Sequence, residues 1–161
     1  MNPKSAMDME QIHTLLNRLP VGTLASVNAD GSPYAVPVHF VSMDNRVYLH
    51  SGYHGQKFEN LCHDGRVCFT AWEMFGLRLP GGDEPCRTAT NYESVVITGT
   101  ADVVEELPLK RAVLREFAAK YTPDKNADHI PDPAVERTCV IAIEAGRITG
   151  KRKAEKTVTK K

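Results

Sequence analysis

Residues 22–41, GTLASVNADGSPYAVPVHFV, constrain the fold more than any other stretch. Two runs rich in β-branched and aromatic residues flank Asn28-Ala29-Asp30-Gly31, a connection of turn-forming residues, so the pair reads as a hairpin. Strand side chains alternate between faces. Tyr34, Val36, Val38 and Phe40 therefore share one face, and Ala35, Pro37, His39 and Val41 the other. Pro37 lacks the N–H that a ladder needs, which places this strand at an edge or a bulge. A chain that starts this way is committed to an antiparallel sheet.

The rest of the chain fits that commitment. RVYLHS (46–51), RVCFTAWEM (66–74), NYESVVITGTADVVEE (91–106) and TCVIAIEAGRITGKR (138–152) read as further strands, with Gly99 a bend inside one of them. Three stretches have helical periodicity. Asp8 caps the first, whose Ile12, Leu15, Leu16 and Leu19 form one stripe that ends at Pro20. A short second helix carries Phe58, Leu61 and Cys62, and Asp64-Gly65 closes it. Pro108 opens the third, with Leu109, Val113, Phe117 and Tyr121 along one side. FGLRLPGGDEPCRTAT (75–90) is read as a long loop, and long loops in compact domains tend to be functional. Strands joined by tight turns, with few helices, predict a mainly β, antiparallel barrel or curled sheet with helices outside it.

At 161 residues the chain suits one domain, placed here at 1–152, followed by a basic tail, 153–161, expected to be disordered. Formal net charge is zero, which gives no global field for nucleic acid or membrane. From Lys151 onward six Lys or Arg face one Glu, a solvated tail rather than a nucleic-acid site. The sequence holds no apolar run long enough to span a bilayer and no signal-peptide pattern, so a cytoplasmic location is expected. Cys62, Cys68, Cys86 and Cys139 lack zinc-like spacing and are expected to be free thiols, mainly buried.

Chemistry concentrates in residues 50–57, HSGYHGQK, between a strand and a helix. A helix start presents free N–H groups and a positive dipole end, and glycines let a ligand approach the backbone. Ser51 adds a hydroxyl and Lys57 a cation. A lysine in the first turn opposes the dipole unless an anion is near. Two readings follow: a phosphate cradle, or an ordinary loop with a solvated lysine. His50, His54, His63 and Cys62 do not form a standard metal-ligand pattern, and no metal is expected.

Four segments taken in order carry a family resemblance: VGTLASVNADGSPYAVPVHFV, VYLHSGYHGQKFENL, CRTATNYESVVITGTADVVEE and ITGKR. They resemble the flavin-binding split β-barrel proteins related to pyridoxamine 5'-phosphate oxidase, nearest to the Nim-type branch named for nitroimidazole resistance. The resemblance spans roughly residues 10–152. It implies a six-stranded Greek-key split barrel, a homodimer, FMN near the subunit interface and a small-molecule substrate. It places the flavin phosphate near His50, Ser51, Gly55 and Lys57, and the ring along Val36, Pro37, Val38 and His39. Tyr92, Glu93 and Ser94 match a segment that the partner brings to the cofactor, while Trp72 either borders the flavin or sits at the barrel rim. His39 matches a histidine linked to redox chemistry, and imidazole can move protons near neutral pH.

Two departures matter. Tyr34 stands where the oxidases have a phosphate-binding arginine, and their C-terminal substrate signature is absent, which argues against that oxidase activity. An FMN-dependent reductase of nitroaromatic or quinone-like acceptors is the leading expectation, with selectivity in the loop Phe75 to Arg87. A non-catalytic carrier or sensor of flavin, haem or the deazaflavin F420 is the alternative. No GxGxxG fingerprint names the electron donor.

Overall fold

A computed structural model describes residues 5–79 and 84–154. Among these residues seven strands form one antiparallel sheet: β1 (Val21–Val27), β2 (Pro33–His39), β3 (Val41–Met43), β4 (Arg46–Ser51), β5 (Arg66–Arg78), β6 (Ala89–Val103) and β7 (Cys139–Lys153). Their order across the sheet is β2-β1-β5-β6-β7-β4-β3. The sheet curls without closing, which makes it a split barrel. Four helices flank it: α1 (Met9–Arg18), α2 (Gln56–His63), α3 (Leu107–Tyr121) and α4 (Asp132–Arg137). No helix among the described residues is long and apolar enough to cross a membrane.

The local chemistry of the first elements is as the sequence predicts. Asp8 and Gln11 form a reciprocal capping box on α1, whose Ile12, Leu15 and Leu16 are buried. The β1–β2 turn closes through Asn28 N–H to the Ser32 carbonyl at 2.9 Å, with Gly31 at φ 82°. Pro37 lies in β2, at one end of the sheet, where a missing N–H costs no ladder bond. Gly99 marks a register shift between β6 and β7, and a Cβ there would sit 1.9 Å from the Glu144 carbonyl oxygen.

Seven strands replace the expected six because the run through residue 41 breaks at Phe40. Its ring is buried inside, while Val41 is buried in a second apolar cluster against α3. The chain thus passes from one packing layer to the other at this residue. Tyr121 and Lys120, at the end of α3, take over the backbone of Phe40. The Phe40 N–H donates to the Tyr121 hydroxyl at 2.9 Å, and Lys120 Nζ donates to the Phe40 carbonyl at 3.0 Å. The Tyr121 O–H has carbonyls at 2.7 Å (Phe40) and 2.8 Å (Pro20). One proton serves one acceptor at a time, so with Lys120 on Phe40, Tyr121 is free to serve Pro20. Leaving the backbone groups of the buried Phe40 unmet would cost about 1–3 kcal/mol each.

Two apolar layers result. The larger fills the barrel, with Leu24, Phe40, Leu49, Phe69, Val95, Ile97, Ile141 and Ile143 at its centre and α1 at one end. The smaller joins α3 to the outside of β3, β4 and the first half of β7 through Val41, Tyr48, Val113, Phe117 and Val140.

Two sequence expectations are corrected, the loop's start and the burial of the thiols. The loop placed from residue 75 starts later, because β5 continues to Arg78, past a bulge between Met74 and Gly76. Pro85–Arg87 form a short 3-10 turn, and the loop's tip, 80–83, lies outside the described residues. All four thiols are free, but Cys139 alone is buried, and Cys62 and Cys86 are exposed. β7 runs to Lys153, and the tail from residue 155 lies outside the described residues.

Candidate functional site

Among the described residues β2 pairs with β1 alone, so its other edge offers unused backbone groups. β3 pairs with β4 only over Arg46 to Tyr48. The following residues of β4, Leu49 to Ser51, pair with β7 and present a second open edge. β2 and β4 approach each other across this gap, which is the split in the barrel. Val36 and Val38 turn inward, so toward the gap β2 offers backbone, Pro37 and the His39 side chain.

The strand-to-helix turn closes one end of the gap. Gly55 precedes α2 at φ 93°, a conformation that favours glycine, and no side chain caps the helix. A Cβ at Gly52 or Gly55 would meet nothing within 4 Å, so the space before the helix start is open. Asn60 anchors α2 to the barrel, donating to Ser26 Oγ at 3.1 Å and Asn28 Oδ1 at 2.8 Å. Gln56 donates to Asn60 Oδ1 at 2.7 Å and leaves the first amides uncovered. Lys57 is half-buried and makes no hydrogen bond or ion pair with any described residue. Burial holds its pKa below the ordinary lysine value. Uncapped amides, open space and a lone cation suit a phosphate group, and the cradle fits the phosphate end of a flavin nucleotide.

Two imidazoles stand beside the cradle, and α3 fixes both. His39 stacks on Tyr121, centroids 4.5 Å apart and planes 17° apart. His50 meets the Phe117 ring edge-on at 4.5 Å, and Phe117 stacks on Tyr121 at 5.7 Å. All four rings line a cavity of about 320 Å³ that also touches Leu114 and Ile130. Burial, then the charges of Lys57 and His39, lower the His50 pKa. These surroundings favour the neutral imidazole at His50.

The sequence-predicted residues divide into three groups. His39, His50, Ser51, Gly55 and Lys57 come together around the gap, with Val36, Pro37 and Val38 along its β2 edge. Trp72, Tyr92 and Ser94 lie on the outward face of β5 and β6, where Trp72 pairs with Ser94 and is 62% exposed. Glu93 turns to the opposite face, held by Arg18 at 2.8 Å and Arg152 at 3.0 Å. Strand alternation separates it from its two sequence neighbours. Phe117, Tyr121, Tyr53 and Lys110 were not singled out as site residues. Spacing alone gives Phe117 and Tyr121 a common helix face but not their contact with the two histidines. Among the described residues no three His, Cys, Asp or Glu side chains gather as a metal site.

A family model described as pyridoxamine 5'-phosphate oxidase matches residues 8–152. A Bacteroides thetaiotaomicron protein provisionally described as a 5-nitroimidazole antibiotic resistance protein is similar at 28% identity and TM-score 0.75, over 91% of this chain and 85% of that one. The flavocytochrome Anf3 of Azotobacter vinelandii is similar at 23% identity and TM-score 0.81, over 94% and 71%. An FAD and haem binding protein of Mycobacterium smegmatis reaches 21% and 0.77, over 92% and 73%. The last two likenesses are of fold. No curated protein sequence matches the chain.

Proposed function

The chain belongs to the pyridoxamine 5'-phosphate oxidase family of flavin-binding split barrels, and from that premise we propose that it is an FMN-dependent oxidoreductase. Its substrates are nitroaromatic or quinone-like acceptors, and its flavin lies at a homodimer interface. The observation that carries this reading is the half-buried Lys57 at the uncapped start of α2, whose side chain has no hydrogen bond or ion pair among the described residues. It faces a gap between two strand edges with His39 and His50 beside it. When bound, FMN supplies two-electron redox chemistry. Lys57 and the α2 amides hold the phosphate. The free edge of β2 orients the ring. His39, fixed by Tyr121, moves a proton to or from the reacting acceptor. The likeness to the Bacteroides protein supports the nitroaromatic class.

The homodimer draws support from the outward face of β5 and β6, where Trp72, Met74 and Val96 are exposed side by side. Apolar surface of this kind, rimmed by Arg147, Thr149 and Lys151, is the sort that a second copy covers. Trp72, Tyr92 and Ser94 would then reach the partner's flavin.

The test is turnover of the FMN-loaded chain with NADH or NADPH and a nitroaromatic. Turnover is expected, and His39→Ala should lower kcat about 100-fold while FMN affinity holds. Equal rates for His39→Ala and the parent would remove His39 from the chemistry. A second reading, a haem carrier, rests on the two imidazoles that share one cavity. It predicts haem uptake and no turnover.

A further inference from the structure

Lys110 lies in the first turns of α3, 3% exposed, and is the one buried lysine among the described residues. Its Nζ donates to the Tyr53 hydroxyl at 3.2 Å and to the Glu136 carbonyl at 3.1 Å. It lies 5.7 Å from the centre of the Tyr53 ring. No carboxylate pairs with it among the described residues. The contrast with Glu93 is instructive, because that buried charge has an arginine on each side. A buried ammonium without a counter-charge is costly, and an apolar side chain would fill the same space more cheaply. Two neutral acceptors and no carboxylate meet this ammonium, so an anion bound near it would be stabilised.

The surroundings point to the cradle. Tyr53 is in the Gly52–Gly55 turn, so its bond to Lys110 ties α3 to the loop in front of α2. Cys139 pairs with Ser51 of that loop's entry, and its thiol feels the charges of both Lys110 and Lys57. Both ammonium groups thus act on the same buried thiol, next to the entry of the cradle loop. A phosphate monoester carries about −1.5 to −2 charges at neutral pH. Lys57 answers one of them.

We propose that Lys110 is the second cation of the phosphate cradle, acting from behind it through Tyr53. It contributes charge to the site and positions the loop, while Lys57 makes the direct contact. This rests on the reading of the cradle as the seat of the FMN phosphate.

The test compares FMN with riboflavin, which has the same ring and ribityl chain but no phosphate. Flavin fluorescence is titrated with the full-length chain and with Lys57→Gln, Lys110→Met, Lys110→Arg and Tyr53→Phe. Lys110→Met is expected to weaken FMN about tenfold and riboflavin less than about twofold, with Lys110→Arg keeping most of the preference. Tyr53→Phe keeps the ring but loses the hydroxyl, and should cost FMN alone about threefold. It carries the test if Lys110→Met does not fold. Equal weakening of both flavins by Lys110→Met and by Tyr53→Phe would make Lys110 a packing residue and overturn the inference. If Lys57→Gln abolishes the preference for FMN and neither of the other two changes it, the inference fails and the cradle stands. If the parent chain does not prefer FMN, the cradle reading fails and takes the inference with it.

Discussion

The outside of this barrel is finished in two different ways. Over β3, β4 and the first half of β7, α3 buries Val41, Tyr48 and Val140 against Val113 and Phe117. Over β5, β6 and the second half of β7, Trp72, Met74 and Val96 stay exposed beside Arg147 and Lys151. The same strand, β7, passes through both regimes. What a helix of this chain supplies on one side, a second molecule supplies on the other in the proposed dimer. The candidate site belongs to the covered side. There α3 seats His39, His50 and the cradle loop through Tyr121, Phe117 and Lys110. The open side can change without disturbing that machinery until assembly is required.

The largest effect should come from the covered side. Phe117→Ala removes a ring that packs both the second cluster and His50, and should cost about 3–5 kcal/mol in urea unfolding. Trp72→Ala, measured at concentrations low enough for monomer, should cost within about 1 kcal/mol. Equal losses would erase the distinction between the two faces. Next, Lys57→Glu should weaken FMN about 100-fold, or about 2.7 kcal/mol, with unfolding unchanged. Unaltered affinity would return Lys57 to a solvated surface cation. Val96→Glu puts a charge at the centre of the open face and should weaken self-association at least about tenfold in sedimentation, leaving the monomer folded. A dimer that ignores this change uses another surface.

The smallest effect concerns pH. Lys120 sits in the α3 clamp on Leu16 and Phe40, and burial lowers its pKa to about 8 from the ordinary lysine value of 10.5. Between those two values the unfolded chain binds more protons than the folded one, so Lys120 makes stability rise as pH climbs through that window. Its half-exposed position keeps the effect small. Lys120→Met should flatten this part of the stability–pH curve, and an unchanged slope would assign it to other groups.

Much of the fold was legible because its determinants are local. The turn at Asn28–Gly31, the Asp8 cap, the edge proline and the Gly99 bend each rest on a few neighbouring residues. The break at Phe40 was not legible, since alternation runs on through Val41 and the groups that interrupt it, Lys120 and Tyr121, come from about 80 residues away. The same limit applies to the site. His50 to Lys57 announced itself by composition, whereas Lys110 reads as an ordinary charge on a helix until Tyr53 folds over it. The resemblance takes Tyr92, Glu93 and Ser94 as one segment, whereas strand alternation sends Glu93 to the other face.

The most direct measurement is an absorption spectrum of the freshly purified protein, followed by heat release and mass determination of the ligand. Flavin bands near about 375 and 450 nm, with FMN released at one per chain, are the predicted result. A haem spectrum, or a colourless protein that does not take up FMN, would contradict the account and leave the split barrel without the proposed chemistry.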